Sequence, residues 1–315
     1  MTQGECTRDV RHALVTEAAR ADLFALVADV TRWPVVLEPC VYTKYVRREA
    51  DRELFLIWAV TNDEVKSWKS QRSVRPETGE IDFRQLRSQP PVTSMSGQWA
   101  FAELPDGRTE ISLSHRFSAD TVTDLDWIEA AVDRNTKAEL ATLSRFASFG
   151  HTIDELLFSF SDTVRFTGEA MAVYEFLAAA DRWPELLPHV ARTVVDETDG
   201  GIQRLTMDTV TADGGTHTTQ SIRLCFPGER IVYKQTTLPG FLLGHSGEWE
   251  LTEGPDGQVL TATHTVALDP TAIGAAFGAG TTLAEARSRV RELLGANSRA
   301  TMAHAVAAVA HRSTT

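Results

Sequence analysis

The chain repeats itself, and the second copy begins roughly 150 residues after the first. Arg32-Trp33-Pro34 returns as Arg182-Trp183-Pro184, Ser70-Gln71-Arg72 as Ser221-Ile222-Arg223, and Gly97-Gln98-Trp99 as Gly247-Glu248-Trp249. Ser114-His115 is matched by Thr263-His264, and Asn135-Thr136-Lys137-Ala138 by Asn297-Ser298-Arg299-Ala300. The matches keep their order, which chance similarity does not do. A unit this long exceeds a solenoid repeat, so each copy must bury a core of its own. The chain therefore reads as two domains, residues 1–152 and 153–315. Any pocket built by one half predicts a divergent version in the other.

Each half gives the same order of elements. A strand over 8–15 precedes a short apolar helix over 18–27, which Pro34 follows as a turn or second short helix. Strand-like runs then cover 42–48, 53–61, 65–74, 80–86, 98–102 and 109–117, with Pro105-Asp106-Gly107 as a hairpin turn. Residues 125–149 contain no Pro or Gly and predict one long helix. The second half repeats the plan and closes on a helix that runs to His311. This order predicts an α+β fold in which a curved antiparallel sheet wraps a long C-terminal helix, leaving a cavity between them. Only the second half carries an insertion, residues 269–291, with Gly274, Gly278 and Gly280. It reads as a flexible loop, or alternatively as a lid over a pocket mouth.

Composition narrows the function. A net charge of −12 excludes a nucleic-acid binder and a protein that adheres to anionic membrane. No run approaches the apolar length of a bilayer span, and the first residues lack a secretory pattern. Cys6, Cys40 and Cys225 stand far apart, which suits free thiols in a cytoplasmic setting rather than disulfides or zinc. No metal-ligand spacing, phosphate loop or nucleophile triad is present, so no metal is expected.

Candidate pocket residues follow from the two-residue period of a strand. Trp68, Ser70 and Arg72 share one face, and His217, Thr219, Ser221 and Arg223 share the matching face of the second half. One such polar strand would suit a surface with a salt-bridged arginine. Its recurrence favours a wet cavity. Trp33, Trp99, Trp183 and Trp249 are duplicated, which suits a role common to both copies. Trp58 and Trp68 are unique to the first and are read as specificity residues. Asn135, in an apolar helical stripe, either satisfies a buried backbone group or points into the cavity. His115 and His264 are read as structural.

Together, the duplicated Arg-Trp-Pro, the Trp68-x-Ser70-x-Arg72 strand and the Asn-x-basic-Ala helix resemble the di-domain aromatase/cyclases of bacterial type II polyketide synthesis. The resemblance spans essentially the whole chain. It implies a tandem helix-grip fold of the START/Bet v 1-like kind. It implies a substrate too: a poly-β-ketone, reduced at carbon nine and tethered to an acyl carrier protein, with the minimal polyketide synthase and a ketoreductase as neighbours. The implied reaction is aldol closure of the first ring between carbons seven and twelve, then loss of water. Carried over by residue, Arg72, Ser70, Arg223 and Ser221 are the catalytic candidates. Trp33, Trp58, Trp68, Trp99, Asn135, His217 and Trp249 are the substrate-binding candidates. The tyrosine expected after Arg-Trp-Pro is replaced near that place by Cys40, with Tyr42 and Tyr45 just beyond.

The chemistry needs no cofactor. A permanently charged arginine cannot be the base but can hold enolate and carbonyl oxygens, and aromatic walls fold the chain so that one pair of carbons meets. The first half, richer in aromatics, is expected to work, and Arg72→Ala is expected to leave the fold intact. Arg47, Arg48 and Arg52 are candidates for docking the carrier protein. The rival reading is a non-catalytic carrier of a lipid or quinone. It is distinguished by whether Arg72 and Arg223 face a cavity lined by Trp68.

Overall fold

In the computed structural model, residues 6–50, 52–198, 200–210 and 215–312 are described. The chain divides into two compact units after Ile153.

Domain 1 opens with β1 (Cys6–Thr16), α1 (Arg20–Ala28) and α2 (Trp33–Val36). Five strands follow: β2 (Cys40–Glu49), β3 (Arg52–Thr61), β4 (Glu64–Arg75), β5 (Glu80–Gln85) and β6 (Ser94–Glu103). Then come β7 (Thr109–Ala119) and the 27-residue α3 (Val122–Ser148). The sheet is antiparallel in the order β1-β7-β6-β5-β4-β3-β2. Alternation along β3 buries Glu53, Phe55, Ile57 and Ala59 on the concave face and turns Leu54, Leu56 and Trp58 outward. α3 lays Leu125, Ile128, Val132, Leu140 and Leu143 against the sheet. Thr121 starts that helix: its side chain accepts the Asp124 amide at 3.1 Å and donates to the Asp124 carboxylate at 2.6 Å.

Domain 2 repeats this with α4 (Ile153–Leu156), β8 (Leu157–Phe166), α5 (Ala170–Ala178) and α6 (Trp183–Leu186). Its remaining strands are β9 (Val190–Thr198), β10 (Ile202–Val210), β11 (Thr216–Phe226), β12 (Arg230–Thr237), β13 (Leu242–Gly254) and β14 (Gly257–Leu268). α7 (Ile273–Phe277) and the 30-residue α8 (Leu283–Arg312) complete it. The sheet order, β8-β14-β13-β12-β11-β10-β9, is the domain 1 order shifted by seven strands. The ladders match too: Phe55 faces Ser70 and Glu53 faces Arg72, as Leu205 faces Ser221 and Gln203 faces Arg223.

The duplicated glycines are explained by packing. A side chain on Gly97 would overlap the Ser114 carbonyl oxygen and the Phe83 ring, and one on Gly247 would overlap the Thr263 carbonyl and Tyr233. In both halves an aromatic side chain from the neighbouring strand lies across the glycine. The insertion in the second half is not a loose loop. α7 forms a turn of helix with Ile273 only 3% exposed.

Candidate active site

Between the concave face of the first sheet and α3 lies a cavity. Trp33, Phe55, Trp68, Phe83 and Trp99 give it an aromatic wall, and α3 contributes Trp127, Asn135 and Thr136. Lys66 and Glu139 also line it.

The structure places the predicted residues unevenly. Trp33, Trp68, Trp99, Ser70 and Asn135 line the cavity. The Ser70 hydroxyl donates to the Arg84 carbonyl at 3.3 Å. Asn135 meets both of its alternatives: it lines the cavity and donates Nδ2–H to the Val60 carbonyl at 3.0 Å. Trp33 is fixed by Nε1–H donated to the Val27 carbonyl at 3.0 Å and meets Phe55 edge-on, with ring centroids 5.5 Å apart.

Trp58 is a correction. It sits at an odd position of β3, so the pleat turns it to the convex face, where it packs on Tyr42 at 5.3 Å between centroids.

Arg72 is another correction. It shares the concave face with Trp68 and Ser70, but its guanidinium lies behind the wall and not in the lining, and the residue is 1% exposed. Its Nε donates to Glu53 at 2.5 Å, Nη1 to the Val27 carbonyl at 3.0 Å, and Nη2 to the Ala28 carbonyl. The last two are the terminal carbonyls of α1, which a cation satisfies well. Trp33 and Phe55 lie over the guanidinium at 5.5 and 5.6 Å. Arg72 thus ties α1 and Trp33 to the sheet.

Arg223 repeats the arrangement without the ion pair. It donates to Gln203 Oε1 at 2.7 Å and to the Leu177 carbonyl at 2.5 Å, under Trp183 at 5.1 Å. Neither arginine faces a cavity with Trp68, so the polar feature that weighed against a carrier is internal scaffolding. Ser221 pairs with Leu205 and Gln235 in the ladder, and Trp249 is buried in the domain 2 core. His217 has a buried Nε2 with no partner among the described residues.

Sequence reasoning left four residues out of the candidate site: Glu53, Trp127, His115 and Thr136. Glu53 is 4% exposed and binds Arg72, Arg48 at 2.9 Å and the Tyr45 hydroxyl at 3.3 Å. An acid alternating with Phe55 and Ile57 on an apolar strand face was the available signal. Trp127 lines the cavity while 41% exposed, which puts it at the mouth. His115 lines the cavity and its Nδ1 has no partner among the described residues, and the same holds for Thr136 Oγ1. Burial lowers the His115 pKa to about 4, so the ring is neutral at neutral pH. Tyr45, which follows the expected tyrosine position, is spent on the Glu53–Arg72 network, where burial raises its pKa. Two of the three expected docking arginines carry their own counter-charges: Arg47 pairs with Glu49, and Arg48 with Glu53.

A seven-stranded antiparallel sheet packed on one long helix defines a helix-grip protein, here in two copies. The chain belongs to the polyketide cyclase/dehydrase family. Two family profiles described as polyketide cyclase/dehydrase and lipid transport match residues 16–136 and 158–310, one in each domain. The granaticin polyketide synthase bifunctional cyclase/dehydratase of Streptomyces violaceoruber is 49% identical over 94% of this chain and 93% of its own. The actinorhodin counterpart of Streptomyces coelicolor is 44% identical over 95% and 96%. Among solved structures, the di-domain ARO/CYC BexL of the BE-7585A biosynthetic pathway superposes with a TM-score of 0.81 at 41% identity, covering 96% of this chain and 98% of that one.

Proposed function

We propose that this chain closes and then aromatises the first ring of a reduced poly-β-ketone, carried on an acyl carrier protein, inside the domain 1 cavity. The observation that carries the reading is an aromatic cavity whose lining includes a neutral imidazole, that of His115, with no partner for Nδ1 among the described residues. Relatives that match over nearly their whole length and are named bifunctional cyclase/dehydratases support it.

The residues divide the work. His115 Nδ1 takes a proton from a methylene flanked by two carbonyls, and the enolate carbon bonds to a ketone carbon further along the chain. The ketone oxygen becomes an alkoxide and recovers a proton as a hydroxyl. Loss of a second carbon-bound proton then breaks the C–O bond, and the hydroxide leaves with a proton as one water. Thr136, whose hydroxyl is unpartnered, donates to the ketone oxygen. Trp33, Trp68 and Trp99 mould the chain, and Arg72 holds Trp33 rather than the substrate. Poly-ketones cyclise unaided, so this mould supplies orientation, and its errors appear as wrong rings.

The test is reconstitution with a minimal polyketide synthase and a ketoreductase. Adding the chain should convert the shunt mixture to a product with an aromatic first ring. A product mixture identical with and without the chain would leave only the carrier reading.

A further inference from the structure

We infer that domain 2 encloses a second, lidded binding site, lined by histidines and built for a ligand that presents hydroxyl groups. Among the described residues, four buried polar atoms of domain 2 have no hydrogen-bond partner: His189 Nδ1, His217 Nε2, Gln235 Oε1 and His245 Nδ1. Buried polar atoms are rarely left so, and several together imply an occupant. Their positions in the duplicated fold are not scattered. The Val60 amide donates to the Pro39 carbonyl as the Val210 amide does to that of His189. Lys66 faces Ala59 as His217 faces Thr209, and Ser70 faces Gln85 as Ser221 faces Gln235. Met95 stands two residues before Gly97 as His245 stands before Gly247. Pro39, Lys66, Gln85 and Met95 all line the domain 1 cavity. Each unpartnered atom of domain 2 thus falls where domain 1 has cavity wall.

The ligand class follows from proton accounting. Ser298 Oγ donates to the backbone carbonyl of Leu294 or Gly295, so it accepts from His264 Nε2–H at 3.1 Å. His264 Nδ1 is then a lone pair, shared at 3.0 Å by the Tyr233 hydroxyl and by His245 Nε2–H. With its proton on Nε2, His245 leaves Nδ1 as a bare acceptor in a residue 2% exposed. Burial lowers the pKa of both rings, to about 4 for His264, which keeps them neutral and the tautomers fixed. Gln235 Oε1 is an acceptor as well. Two buried acceptors select a ligand that brings O–H groups, such as a hydroxylated ring, over a chain of bare ketones.

The insertion closes the mouth. Phe241 stands where domain 1 has Pro91, and Arg289 where it has Trp127, both cavity-lining residues there. In domain 2, Phe277 of α7 packs on Phe241 with centroids 4.9 Å apart, and Arg289 lies over the Phe277 ring and donates to its carbonyl at 2.5 Å. Gly278 and Gly280, at φ of 105° and 82°, follow Phe277 in conformations that side-chain-bearing residues rarely adopt.

The choice of a hydroxylated ring rests on the reaction proposed above; the existence of the site does not. Resorcinol is the probe, titrated into the full chain carrying ¹⁵N-labelled histidine. The Nδ1 signal of His245, identified by its loss in His245→Met (the residue domain 1 carries there), should move saturably. Gln235→Met should weaken that response several-fold, and Phe277→Ala should speed exchange of bound resorcinol. If only His115 responds, or no histidine does, the domain 2 space holds water alone and the inference fails. An unchanged exchange rate in Phe277→Ala removes the lid. This readout is binding, not turnover, so it can fail while reconstituted ring closure succeeds, and the reverse.

Discussion

Arg72 and Glu53 face each other across adjacent strands, and their buried side chains meet at 2.5 Å. The same two positions in domain 2 hold Arg223 and Gln203, joined at 2.7 Å by a neutral amide. The arginine is common to both copies and the carboxylate is not, so the conserved element is the tie to the end of the first short helix. Glu53→Ala should therefore cost about 3–5 kcal/mol, since it strands a buried cation. Glu53→Gln installs the arrangement domain 2 already has and should cost far less. Urea unfolding of the two variants checks the order.

Arg72→Ala should unfold domain 1 at markedly lower denaturant, against the expectation that a cavity arginine could be removed without harm to the fold. It makes bonds to Glu53 and two helix-terminal carbonyls, and it supports Trp33. Lost product in this variant should track lost folded protein. Retained stability with diverted product would return Arg72 to a direct role on substrate.

Much of the fold was legible in the sequence because the duplication fixed element order twice, and hairpin and helix signals agreed in both copies. The site was less legible. Period two placed Trp68 and Ser70 correctly, but it says only which face a side chain starts from. Arg72 begins on the concave face, and its length carries the guanidinium past the cavity to the helix end. Trp58 was misplaced because its uniqueness was given more weight than its register in β3. The role proposed for His115 was out of reach, because nothing in one sequence reveals which buried nitrogen lacks a partner. In domain 2 the structural reading fits His264, whose two ring nitrogens are both bonded.

Trp127 should report on entry. At 41% exposure on α3 it carries little of the core, so Trp127→Ala should change the melting temperature by only a few degrees. Lost wall at the mouth should raise KM and widen the product range more than it lowers kcat. A collapse of kcat at unchanged KM would place Trp127 in the chemistry instead.

Gly97→Ala should be poorly tolerated. The added methyl would meet the Ser114 carbonyl and the Phe83 ring, and the carbonyl belongs to the paired strand and cannot swing away. A loss of about 1–3 kcal/mol or more is expected. Gly97→Ala combined with Phe83→Ala should recover little, because the backbone clash remains. Full recovery would show the ring alone sets the requirement.

Acid should destabilise the chain through its buried histidines. His115 and His264 have folded-state pKa values of about 4, against an ordinary 6.5. Between those values the unfolded chain binds protons that the folded chain does not, so stability is full above about pH 6.5 and falls as pH drops towards 4. Each histidine can contribute at most roughly 3 kcal/mol to that slope, at 1.36 kcal/mol per pKa unit. His264→Gln, for example, should be less stable at neutral pH because it breaks the Tyr233 and Ser298 contacts, yet lose less on acidification. Urea midpoints at pH 7, 5.5 and 4.5 for both proteins decide it. Parallel pH slopes in the two would mean that carboxylate protonation, not these imidazoles, drives acid unfolding.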